Sequence, residues 1–226
     1  MSVWVSEGPL IVGHRGGRGE GWPRENTLAA FEQARAQGAR AIELDVRTCG
    51  SPEIVVLHDP TRSSLAELRS TDVPTLEEAL EWAAGCDVAV NVELKHDVPS
   101  RLALIARIRP VLQRTRADVL LSSFDPLLLA AAAAVLPALP RALLTARSQR
   151  PRVPTVIATP PYIQALHLER TQTEPAAIAR YRARGLRVGV WTVNDPREAV
   201  DLQSVGVQTF ITDAPGALLP ALTPGR

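Results

Sequence analysis

Eight short apolar runs of strand character recur along the chain, and each is followed by a longer segment, most of them of helical period. The runs are Leu10–Gly13, Ala39–Val46, Asp87–Glu93, Asp118–Ser122, Arg141–Leu144, Ile163–Leu168, Arg187–Trp191 and Thr209–Ile211. Helical patterns occupy Thr27–Gln37, Thr75–Ala84, Ser100–Arg116, Pro126–Val135, Pro175–Arg184 and Pro196–Ser204. Mostly apolar strands with helices between them pair in parallel, because a parallel neighbour requires a crossover and the crossover helices cover the sheet. Eight such units fit a closed (β/α)8 TIM barrel, whose usual size is about 250 residues with a lower end near 200. The 226 residues therefore form a single domain, 1–226, with no linker and a short or absent insertion. A doubly wound open sheet is the alternative, but it calls for GxGxxG after the first strand, and GHRGGRG at Gly13–Gly19 does not match.

Composition narrows the function classes. With 25 Lys and Arg against 24 Asp and Glu, a net charge of +1 and no basic run, the chain is not expected to bind nucleic acid. At 46% hydrophobic residues it has the apolar content to build a core without metal or disulfide staples. Cys49 and Cys86 are far apart, with no CxxC, and read as small packing residues of a reducing compartment. The opening MSVWVSEGPL has no basic segment or long apolar segment, so no export and a cytoplasmic location are expected. Leu127–Leu139 is too short for a membrane crossing and contains Pro137; it reads as a packed helix that could also cover a homodimer contact.

In a parallel barrel the chemistry sits at the C-terminal ends of the strands. The first strand ends in Gly13-His14-Arg15-Gly16-Gly17-Arg18-Gly19, where glycines let backbone N–H groups approach an anion and Arg15 or Arg18 could bind phosphate or carboxylate. In the second, the period of two puts Glu43 and Asp45 on one face; in the third, Glu93 and Lys95 share a face. Three convergent carboxylates suit a hard cation such as Mg²⁺ or Ca²⁺. The competing reading is ion pairing among Glu43, Asp45, Glu93, Arg47 and Lys95. His58 follows Ile54–Leu57, a run able to form a small hairpin beside the second strand. His14 and His58 near a cation and an arginine would supply an acid and a base for phosphoryl transfer. His96 reads as a rim residue and His167 as core. Trp191, at a strand end, suits either core or a pocket wall, and Trp22 and Phe124 lie in loops where a rim contact is expected.

Taken together, GHRGGRG (13–19), ENTLAAF (25–31), IELDV (42–46), VVLHDPT (55–61), PTLEEAL (74–80), NVELK (91–95), SSFDP (122–126), VWTVND (190–195) and GVQTFITDAPG (206–216) resemble the glycerophosphodiester phosphodiesterases, over most of the chain. The resemblance implies a (β/α)8 barrel that uses a divalent cation to hydrolyse glycerophosphodiesters to an alcohol and glycerol 3-phosphate. It makes Glu43, Asp45 and Glu93 the metal ligands and His14 and His58 the acid–base pair. Arg15 and Lys95 become phosphate-binding residues, and Trp191 a wall of the glycerol pocket. A lysophospholipase D or other phosphodiesterase on the same barrel, and a catalytically silent barrel that binds phosphorylated metabolites, are the alternatives. Two departures stand out. Only Pro60–Val73 follows the His58-Asp59 pair where the family usually has a longer insertion, and Arg24 replaces the usual proline, with Asn26 or Thr27 expected to cap the first helix.

Overall fold

The computed structural model describes residues 2–6, 8–148 and 162–222. In chain order the elements are β1 (Leu10–Gly13), α1 (Leu28–Ala36), β2 (Ala41–Thr48), β3 (Ile54–Val56), α2 (Leu65–Leu68), α3 (Leu76–Cys86), β4 (Ala89–Leu94), α4 (Arg101–Arg114), β5 (Val119–Ser123), α5 (Pro126–Val135), β6 (Arg141–Thr145), β7 (Ala165–Glu169), α6 (Pro175–Ala183), β8 (Arg187–Trp191), α7 (Pro196–Ser204), β9 (Thr209–Thr212) and α8 (Pro215–Leu222). Eight strands run parallel around a closed ring, β1-β2-β4-β5-β6-β7-β8-β9 and back to β1. This is the (β/α)8 barrel expected from the alternation, and each of the eight runs matches a strand to within two residues. The ninth strand, β3, lies antiparallel on the last three residues of β2, with Val46 opposite Val56. It is the hairpin expected from Ile54–Leu57. The stretch from there to α3 holds only α2 and a single 3₁₀ turn, so the insertion is short.

Helix starts follow from local chemistry. Thr27, not Asn26, caps α1 by accepting from the Ala30 N–H, and Thr75 and Glu78 form a capping box on α3. Asp125-Pro126 and Asp195-Pro196 open α5 and α7, each pairing a carboxylate that accepts from first-turn N–H groups with a proline whose fixed φ suits the first helical position. Helix α8 was not anticipated, because Pro215 and Pro220 break up its eight residues; Leu218 and Leu222 nevertheless bury against the α6–α7 side of the barrel.

Apolar side chains fill two crescents between sheet and helices, one beneath α1, α3, α4 and α5 and the other beneath α6, α7 and α8. A third cluster lies inside the ring at its N-terminal end, where Leu10, Val12, Ala41, Ala89, Leu120, Ala142 and Ala165 meet Trp4. Trp4 arrives from the N-terminal segment and donates its Nε1–H to the Asp118 carbonyl at 3.2 Å, closing that end. The small residues around the ring make room for the indole. With Trp4 at this end, the described interior opens at the C-terminal ends of the strands. No helix among the described residues is long and apolar enough to cross a membrane.

Candidate active site

At the C-terminal mouth of the barrel lies a cavity of about 360 Å³. The turn after β1 brings His14, Arg15 and Arg18 to it, β2 brings Glu43, the loop after β3 brings His58, and β4 brings Asn91, Glu93 and Lys95. Phe124, Leu144, Trp191 and Ile211 form the apolar side, with Thr192 next to Trp191 in the chain. Of the expected catalytic, phosphate-binding and metal-ligating residues, Asp45 alone lies off the lining, in the carboxylate cluster with Glu43 and Glu93. Trp22 is also absent from the lining; its ring covers Gly17 and Gly19 instead. Phe124 packs edge to face on Trp191, with ring centroids 5.6 Å apart, and His96 meets Phe124 at 6.4 Å on the rim. His167 is core, as expected.

The tight turn after β1 depends on Gly16, which has φ +89°; a Cβ there would sit 2.7 Å from the backbone of Ala30. Only glycine allows that approach. Just before it, the His14 Nδ1 lies 2.8 Å from Asp213 Oδ1. Asp213 also accepts from Arg18 Nε at 3.0 Å and from Asn194 Nδ2 at 3.0 Å. Burial works to raise the Asp213 carboxyl, but hydrogen bonds from His14, Arg18 and Asn194 outweigh it and hold it below the usual carboxylate range. An ionised Asp213 can only accept, so the His14 Nδ1 carries the proton and Nε2 is the working atom. The second histidine has a parallel arrangement, with His58 Nδ1 2.8 Å from Asp59 Oδ1. Its loop is tied down by the buried Arg47, which donates to the carbonyls of Leu57 and His58 and to Asp97.

Parallel register places Glu43 opposite Asn91 and Asp45 opposite Glu93. One oxygen from each of Glu43, Asp45 and Glu93 lies within 4.8 Å of the others, and all three side chains are buried. Lys95 Nζ sits 3.2 Å from Asp45 and 3.0 Å from Glu93; Arg15 Nε is 3.2 Å from Asp45, and its NH1 donates to Glu25 at 2.7 Å. Glu43 accepts from the Arg15 backbone N–H at 2.9 Å, and the Asn26 amide grips Asp45 from behind at 2.9 Å. Burial tends to raise Asp45, but Lys95, Arg15 and the Asn26 hydrogen bond overcome it and keep the carboxyl low. Glu43 is pushed well above its usual value by burial and then by the charges of Asp45 and Glu93. Glu93 is pushed to about 7 by burial and Asp45, against the pull of Lys95. The ion-pair alternative therefore accounts for only part of the cluster: Lys95 and Arg15 do not satisfy three buried acids, and Arg47 has turned away to Asp97. The donor set is all oxygen, and its unsatisfied negative charge fits a divalent cation.

Several site residues were not singled out from the sequence. Asn26 and Asn194 hold carboxylates in place, and Asp213 and Asn91 lie at the ends or on the inner faces of strands. An acid directly after β9 was the one available signal for Asp213, since strand ends are where a barrel keeps its chemistry.

The family model described as the glycerophosphoryl diester phosphodiesterase family matches residues 14–217. The protein YqiK of Bacillus subtilis (strain 168), itself uncharacterized, is 29% identical over 234 residues, covering 91% of this chain and 95% of that one. A glycerophosphodiester phosphodiesterase of Caldanaerobacter subterraneus subsp. tengcongensis is 26% identical over 250 residues, with coverage of 96% and 98%. Among solved structures, a phosphodiesterase of Oleispira antarctica in complex with the product sn-glycerol-3-phosphate superposes with a TM-score of 0.82 at 25% identity, covering 94% of this chain and 96% of that one.

Proposed function

The chain belongs to the glycerophosphoryl diester phosphodiesterase family, and from that premise we propose that it hydrolyses glycerophosphodiesters to an alcohol and glycerol 3-phosphate. The observation that carries this reading is the meeting, in one cavity, of two histidines each paired to a carboxylate with a buried cluster of three acids that Arg15 and Lys95 only partly neutralise. A phosphodiester has an anionic centre and a poor alkoxide leaving group. Hydrolysis therefore needs charge neutralisation, an acid for the departing oxygen and a base for the nucleophile.

His14 and His58 fill the last two roles. One gives a proton from Nε2 to the alkoxide oxygen as the P–O bond breaks, and the other takes a proton from the attacking water as the new P–O bond forms. Asp213 and Asp59 hold each ring with Nδ1–H turned away from the cavity. Arg15 and Lys95 bind the phosphoryl oxygens, and Trp191 and Phe124 wall in the carbon skeleton. Glu43, Asp45 and Glu93 would hold Mg²⁺ or Ca²⁺, which when bound neutralises phosphate charge that the two side-chain cations leave over.

A second reading, hydrolysis of lysophospholipids, draws on a separate groove lined by His96, Val98, Leu102, Leu127 and Leu128, with Leu102 and Leu127 largely exposed; its His96 ring faces Phe124 of the cavity wall. Release of glycerol 3-phosphate, or its acylated form, from a panel of glycerophosphodiesters and lysophospholipids tests both readings. The assay runs with Mg²⁺, with Ca²⁺ and with chelator, on wild type and His14→Ala. Cation-dependent release that is lost in the variant is expected; no release from the folded wild type under any condition overturns the hydrolase reading.

A further inference from the structure

Asn91 is a buried polar side chain that the reaction above does not use. It stands on the inner face of β4 opposite Glu43, has no solvent exposure, and lines the cavity that Leu144 and Ile211 also line. Among the described residues neither its Oδ1 nor its Nδ2 has a hydrogen-bond partner. Buried amides are nearly always paired, so an amide orphaned at both ends and facing a cavity marks the place of a ligand group.

The side chain itself identifies that group. A carboxamide presents a donor and an acceptor side by side, and the ligand that answers both at once is a hydroxyl, which donates one hydrogen bond while accepting another. A phosphate oxygen would satisfy only the Nδ2–H, and an ammonium only the Oδ1. Depth separates the candidates further. Asn91 pairs with Glu43, one inward-facing level below the Asp45–Glu93 pair and two below Lys95. A group that reaches it lies at the opposite end of the ligand from the phosphoryl oxygens held at the mouth. Leu144 and Ile211, which line the same cavity, suit carbon rather than charge.

We propose that Asn91 binds the terminal hydroxyl of the glycerol half of the substrate, the one remote from the phosphate, and makes the enzyme selective for glycerol over the corresponding deoxy diol. This rests on the diester-hydrolase reading above. An orphaned amide discriminates strongly, because a ligand that lacks the hydroxyl leaves it unpaired in the closed complex, whereas one that carries it does not.

The test compares kcat/KM on glycerophosphocholine and on its analogue with CH₃ in place of the terminal CH₂OH, for wild type, Asn91→Ala and Asn91→Ser. Wild type is expected to favour the hydroxylated diester by roughly 10–100-fold. Asn91→Ala should lose that preference by slowing on the hydroxylated diester alone, and Asn91→Ser should fall between the two. Equal rates of wild type on both diesters overturn the proposal, as does an Asn91→Ala variant that slows both equally. Loss of cation-induced thermal stabilisation in Asn91→Ala also overturns it, since that would make the amide a cation ligand. The wild-type comparison decides the matter even if neither variant folds. If wild type turns over neither diester, the hydrolase reading fails separately, and calorimetric binding of glycerol 3-phosphate against propane-1,2-diol 1-phosphate decides the hydroxyl contact by the same ratio.

Discussion

The pairing of His14 with Asp213 joins residues 199 positions apart in the sequence, and it rests on the ring closing between β1 and β9. On the proposed hydrolase reading Asp213 acts through His14 and is a positioning residue: it would fix the tautomer and stabilise an imidazolium formed during turnover. Asp213→Asn replaces an obligate acceptor with a group that can also donate, which allows the other tautomer. We expect kcat to fall by roughly 10²–10⁴-fold, KM to change far less, and the limb of the pH–rate profile assigned to His14 to move. A proportionate loss in KM with an unmoved profile would make Asp213 a substrate contact instead. His167 shows the opposite use of a buried ring. Burial, with a smaller push from Arg187, lowers its pKa from 6.5 to about 3. Below pH 6.5 the unfolded chain takes up a proton that the folded chain refuses, so the folded state loses stability as pH falls from 6.5 toward 3 and gains nothing from this group above that window. At pH 5 the loss is about 2 kcal/mol. Denaturant melts of wild type and His167→Gln at pH 7 and pH 5 check it; the two should fall in stability by amounts that differ by about that much, and parallel losses would contradict the burial argument.

Among the elements, the strand ends that carry acids could be read directly from the sequence and those that carry supporting groups could not, for a physical reason. Glu43 with Asp45, and Glu93 with Lys95, are separated by two along single strands, so strand geometry alone puts each pair on one face. The hairpin of β2 and β3 was likewise local, an apolar run close behind the strand it pairs with. The function of Arg47 was not local. Its position two beyond Asp45 suggests the same inward face, yet it lies past the end of the ring, where it reaches across to Asp97 and to the carbonyls of the His58 loop. Asn26 and Thr27 posed the same difficulty: both suit a helix cap by type, and only the approach of β2 assigns Asn26 to Asp45. Helix α8 was hidden because its two prolines mask an apolar face that only α7 and β1 reveal.

For the molecule as a whole, the barrel is closed at one end by Trp4 and stabilised by apolar crescents that do not involve the mouth, so the unfavourable charge concentrated there can be tolerated. Glu43 and Glu93 are raised because burial and mutual repulsion disfavour their ionised forms. A divalent cation that binds the folded chain and not the unfolded one relieves that repulsion and shifts the folding equilibrium by mass action. At 100 times its dissociation constant it adds about 2.7 kcal/mol. A domain of this size gains roughly 2–4 °C per kcal/mol, so saturating Mg²⁺ or Ca²⁺ should raise Tm by roughly 5–10 °C at pH 8, and chelator should reverse it. In Glu93→Gln one carboxylate of the acidic cluster loses its charge and the shift should shrink to within about a degree. The cation-free Tm of that variant should stay close to wild type, because the same substitution removes a carboxylate that burial and Asp45 already disfavour. A cation shift that survives intact in Glu93→Gln would place the ion elsewhere. A cation-free Tm that collapses would mean that the Lys95 ion pair, rather than the cation, is what Glu93 serves.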